Sequence, residues 1–135
     1  MIQILKKRSP ALNIRAGHLA RQLIQKEGFH AKQVDILPGA AGGPKGIGLT
    51  GLEQAIFGSF LPQAKQRRFL VGSSVGAWRF AGILAQGEKL GPEKLAELYI
   101  HLPFHKKMKI ADIEKISRDM LASILNQQTQ KLVDH

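Results

Sequence analysis

Two short stretches hold the residues whose types and spacing could do chemistry. Gly72-Ser73-Ser74-Val75-Gly76 matches the pattern G-x-S-x-G, in which a serine hydroxyl is raised clear of the chain to attack a carbonyl. The spacing has a steric origin. A nucleophile lifted above a sheet sits in a strained turn, where side chains two residues before and two after would strike neighbouring backbone. Glycines at 72 and 76 remove that collision. The Ser74 Oγ would then point outward at the start of the following helix, and the Val75 N–H would face a developing oxyanion. Ser73 occupies the variable position, one residue too early for the glycines to flank it evenly, so Ser74 is the expected nucleophile.

The second stretch is Gly42-Gly43-Pro44-Lys45-Gly46. Consecutive glycines let backbone N–H groups converge on one point, an anion-binding nest at the start of a helix. A nucleotide-phosphate loop of the Walker A type needs glycine before the lysine and serine or threonine after it. Here those positions are Pro44 and Gly46, so no hydroxyl is available for magnesium and that reading fails. Gly46-Ile47-Gly48-Leu49-Thr50-Gly51 matches G-x-G-x-x-G in letters only. It begins well past the end of the preceding apolar run, and no acidic residue between Glu53 and Glu88 could hold a ribose.

The elements that must position these loops are readable from the apolar spacing. Ile14, Leu19, Leu23 and Ile24 predict a helix from an Asn13 cap to Gly28. Val34-Asp35-Ile36-Leu37 reads as a buried strand ended by Pro38-Gly39, and the loop 39–46 follows. Ile47, Leu49, Leu52, Ala55 and Ile56 predict a helix closed by Gly58 and Pro62. Arg68-Phe69-Leu70-Val71 is the second strand, the turn 72–76 follows, and Ala77 to Ala85 is helical up to Gly87. Gly91-Pro92 opens a helix through Tyr99, with proline at a tolerated position. Beyond a basic loop, Asp112 is expected to cap a long helix with Ile113, Ile116, Met120, Leu121, Ile124 and Leu125 on one face. Strands alternating with helices imply an α/β fold with parallel strands, and both runs are continuously apolar, as strands covered on both faces should be.

Taken together, Gly42-Gly43-x-Lys45-Gly46 and Gly72-x-Ser74-x-Gly76, each after a strand and before a helix, resemble the start of a patatin-like phospholipase domain. The resemblance covers about residues 33 to 87. It implies a three-layer α/β/α fold with parallel central strands and a lipid acyl hydrolase working through a Ser–Asp dyad. It makes Ser74 the nucleophile and assigns the oxyanion hole to Gly42, Gly43, Lys45, Gly46 and Val75, with Gly72 and Gly76 shaping the nucleophile elbow. The family's aspartate stands in a D-G-[GA] turn far downstream. Asp35, Asp112, Asp119 and Asp134 are the aspartates here, and none precedes glycine. The resemblance therefore implies that residues 1–135 are the N-terminal portion of a single such domain, or a naturally truncated relative, with an incomplete fold and no activity in isolation. A non-catalytic module that keeps the nest for an anion or a lipid is the alternative.

Composition sets the remaining bounds. At 135 residues and 44% hydrophobic composition, the chain has the size of one ordinary domain. The absence of cysteine excludes disulfides, thiolate metal sites and cysteine nucleophiles. No carboxylate cluster suggests a metal, and no cofactor is expected. A Ser–His–Asp arrangement in hydrolase order would need His135, the last residue, as its base. Twenty lysines and arginines against ten acids give a net charge of +10, which favours anionic partners. Aromatic residues make up 6% of the chain and are not interleaved with the basic clusters, so nucleic acid is not the expected partner. A lipid or acyl-ester substrate is expected, with peripheral contact of Arg67-Arg68 and Lys106-Lys107-Lys109 with an anionic membrane. The stretch before Glu27 is free of acids, but with Ser9 as its one serine it reads as ordinary helix rather than a targeting segment. A cytoplasmic location is expected.

Overall fold

The computed structural model describes residues 13–103 and 107–125, and the chain divides into two compact units between His30 and Ala31. In the first unit, helix α1 spans His18–Glu27. Its start corrects the expected Asn13 cap. Gly17, in extended conformation, is the N-cap, and the ladder opens with the Arg21 N–H on the Gly17 carbonyl at 2.8 Å. Glycine is a poor helix former, which ends the helix there rather than letting it continue back to Asn13. Gly28 stops it at the other end as expected, with φ at 83°.

The second unit is built on strands β1 (Ile36–Gly39) and β2 (Phe69–Gly72), which pair parallel with Ile36 opposite Phe69 and Gly39 opposite Gly72. The first strand begins two residues later than its apolar run. Val34 is diverted: its N–H bonds to the Ala31 carbonyl at 3.2 Å, and its carbonyl accepts from Arg68 Nε at 3.0 Å and Gln66 Nε2 at 2.9 Å. With both backbone groups satisfied there, the ladder starts at the Asp35 carbonyl, which accepts the Phe69 N–H at 2.8 Å. Pro38 is tolerated within β1 because, among the described residues, the strand has an unpaired edge for its missing N–H.

Between the strands, a 3₁₀ helix covers Gly43–Leu49 with Pro44 in its first turn, where a missing N–H costs nothing. Helix α2 follows at Thr50–Ala55. The expected closure at Gly58 and Pro62 is corrected. Helical turns run on through a π turn at Ile56–Phe60 and a 3₁₀ turn at Leu61–Gln63, because Pro62 falls at the start of that last turn. The chain becomes extended only at Ala64.

Helix α3 spans Val75–Ile100, broken at Gly87, where φ is 86° and ψ is 168°. The two halves fold back on each other closely. A Cβ added to Gly91 would lie 2.3 Å from the Gly82 carbonyl oxygen, so the two backbones touch where neither residue carries a side chain. Helix α4, Ile110–Ile124, begins ahead of Asp112. Asp112 is not its cap but its third residue, and the carboxylate accepts the Lys109 N–H at 2.9 Å. Met120 and Ile124 of α4 join Leu95 in the main core cluster, against Trp78, Leu98, Tyr99 and Leu102. Ile113 stands at the margin of that stripe, 42% exposed.

The sheet corrects the expectation of strands covered on both faces. α3 covers one face, with the Phe80 ring against Gly39. Ile36, Phe69 and Val71 on the other face are 60%, 57% and 59% exposed. The unit is thus mixed α/β with a two-stranded parallel sheet and one bare apolar sheet face among the described residues.

Candidate functional site

Ser74 joins the end of β2 to the start of α3. Its φ of 53° and ψ of −126° make it the one non-glycine with positive φ among the described residues. An L side chain held there carries about 1–3 kcal/mol of local strain. The turn is fixed from both sides by backbone: the Ser73 N–H bonds to the Gly39 carbonyl at 2.9 Å, and the Ser74 carbonyl accepts the Ala77 N–H at 2.9 Å.

Both flanking glycines are there because no side chain fits. A Cβ on Gly72 would stand 2.4 Å from the Ala77 backbone. A Cβ on Gly76 would stand 2.2 Å from the Gly39 oxygen at the end of β1. The elbow is thereby seated between the ends of both strands. Ser74 is exposed while Val75 behind it is buried. As the first residue of α3, Val75 has an N–H without an intrahelical carbonyl to bind.

The glycine-rich loop lies against this turn. Gly46 is buried, and a Cβ there would meet the Val75 methyls at 3.0 and 3.1 Å and Arg79 Cδ at 3.3 Å. Gly43 takes φ of 55°, a conformation that favours glycine. The Lys45 N–H turns inward onto the Gly42 carbonyl at 3.3 Å, and Lys45 is exposed. Of the expected oxyanion residues, the structure thus brings Gly46 and Val75 into contact and places the Lys45 amide in the loop's own hydrogen bonding.

Comparison with protein-family models, curated proteins and solved structures gives no match.

No base reaches the serine among the described residues. The Ser74 hydroxyl makes no hydrogen bond there. Asp35 accepts from Gln66 Nε2 at 3.1 Å, and Asp119 from Lys115 Nζ at 2.7 Å. Asp112 is occupied at the start of α4, and His101 Nδ1 donates to the Glu97 carbonyl at 2.8 Å. Asp134, His105 and His135 lie outside the described residues.

Behind the elbow lies a buried ion pair that no sequence motif marks. Glu53 on α2 and Arg79 on α3 bond through Nε and Nη2 to one carboxylate oxygen, each at 2.6 Å. Their side chains are only 4% and 11% exposed. The sequence held a clue. Glu53 is the only acidic residue between Ile36 and Gly87, a span that carries Lys45, Lys65, Arg67, Arg68 and Arg79.

Proposed function

We propose that this chain carries the nucleophile and oxyanion half of a patatin-like serine acyl hydrolase acting on lipid or other acyl esters. The observation that supports it is the backbone of Ser74. A serine with φ of 53° between a strand and a helix, flanked by two glycines that tolerate no Cβ, is the arrangement a nucleophile elbow requires. Such strain persists only where the surroundings impose it, and it is a mark of functional sites.

In this reading Ser74 Oγ attacks the ester carbonyl carbon, and its proton passes to a carboxylate. The carbonyl oxygen gathers charge facing the amides of Val75, Gly42 and Gly43. Collapse expels the alcohol, which takes the proton, and water then cleaves the acyl-serine by the same route. In this reading the carboxylate is an aspartate contributed from outside the described residues.

The test uses the protein expressed from its whole reading frame. It should turn over a short-chain p-nitrophenyl ester and bind a fluorophosphonate covalently, and Ser74→Ala should abolish both. Labelling of Ser74→Ala at the wild-type rate would end the reading.

A non-catalytic anion- or lipid-binding module is the second reading, favoured by the Ser74 hydroxyl having no base beside it among the described residues. It predicts anion binding by the glycine-rich loop with no turnover in the same assays.

A further inference from the structure

We infer that the buried Glu53–Arg79 pair is a positioning clamp that sets the oxyanion loop against Ser74, an inference that rests on the hydrolase reading. Arg79 lies on α3 one turn beyond the elbow, and Glu53 lies on α2, the helix into which the glycine-rich loop feeds. Their bond ties the two helices together directly behind the site. Gly46 of the loop packs on the face of α3 that Val75 and Arg79 share, where a Cβ would meet the Val75 methyls at 3.0 and 3.1 Å and Arg79 Cδ at 3.3 Å. The Arg79 side chain therefore touches the loop with its stem and holds α2 with its head.

The chemistry fits a device for orientation. The guanidinium is a rigid fork, and here two of its N–H groups converge on one oxygen, which fixes direction as well as distance. Two apolar residues would join the helices without the cost of removing two charges from water, but also without that directionality. The other ion pairs among the described residues, Lys115–Asp119 and Arg118–Glu114, are exposed neighbours along one helix and join nothing distant. Oxyanion donors act only within a narrow distance range, so an ångström of slippage between loop and elbow weakens them sharply.

The test compares Glu53→Gln, Arg79→Lys and Gly46→Ala with wild type and Ser74→Ala, in protein from the whole reading frame. Thermal melting, kcat and KM on a p-nitrophenyl ester, and the rate of fluorophosphonate labelling are measured for each. Glu53→Gln keeps the shape but not the charge, and Arg79→Lys keeps the charge but not the fork. Gly46→Ala keeps both charges of the pair and wedges the loop away from the Val75 and Arg79 side chains. All three should lower kcat and the labelling rate by about tenfold or more per folded molecule, with KM within about twofold of wild type.

Variants that melt earlier while their folded fraction reacts at the wild-type rate would overturn the clamp and leave an ordinary structural ion pair. If the two pair variants do not fold, Gly46→Ala decides, and wild-type kcat in it overturns the proposal. Failure of wild type itself to react through Ser74 would instead sink the hydrolase reading and the clamp with it.

Discussion

Ser74 holds a backbone conformation that its own side chain does not favour and makes no hydrogen bond through its hydroxyl among the described residues. Its side chain thus contributes little to the fold, and Ser74→Ala should change stability by no more than about 0.5 kcal/mol while removing fluorophosphonate labelling. Equilibrium urea unfolding beside a labelling gel checks both halves. Gly76 is the opposite case. A methyl there would stand 2.2 Å from the Gly39 oxygen, an overlap that backbone must absorb. Gly76→Ala should cost about 1–3 kcal/mol or more, read as a lower urea midpoint. These residue-scale features were legible in the sequence because G-x-S-x-G encodes a steric requirement. The Glu53–Arg79 pair was not: its members are 26 positions apart, and no local pattern pairs residues on separate helices.

At the scale of elements, the order helix, strand, glycine-rich loop, helix, strand, turn, helix was readable because apolar runs and glycines mark it. The boundaries were less so. β1 starts late because side chains of Arg68 and Gln66, some thirty residues on, capture the Val34 carbonyl, a long-range competition that periodicity does not report. Arg68 also donates to the Ala31 and Ala64 carbonyls, so this expected membrane-facing cation is half-buried and fastens the entry to both strands. α4 is held by a small cluster in which Ile124 is fully buried. Ile124→Ala should cost about 2–5 kcal/mol. Trp78, the only tryptophan in the chain, packs on that cluster, so its emission should shift to longer wavelength at a lower urea concentration than in wild type.

The whole molecule combines a net charge of +10 with a bare apolar sheet face at Ile36, Phe69 and Val71. No helix among the described residues is long and apolar enough to cross a membrane. Cations near an acidic bilayer contribute about 1 kcal/mol each, and the attraction is screened as salt rises. The protein should therefore sediment with anionic vesicles at low salt and be released at high salt, with little binding to neutral vesicles; equal binding to both would mean the charge is only a solvated surface. Residues 1–135 alone should not turn over an ester, and hydrolysis abolished by Ser74→Ala in that chain would point to a base outside the described residues, His105, Asp134 or His135. The strand pairing also carries a kinetic consequence. Ile36 meets Phe69 and Gly39 meets Gly72 only after the intervening turns have closed a loop of about thirty residues, a slow kind of contact to form. The elbow is seated against Gly39, so a chain that has not yet joined its two strands presents no serine. Competence to bind or react would arrive only with that long-range contact, and a newly made chain would be chemically silent until then.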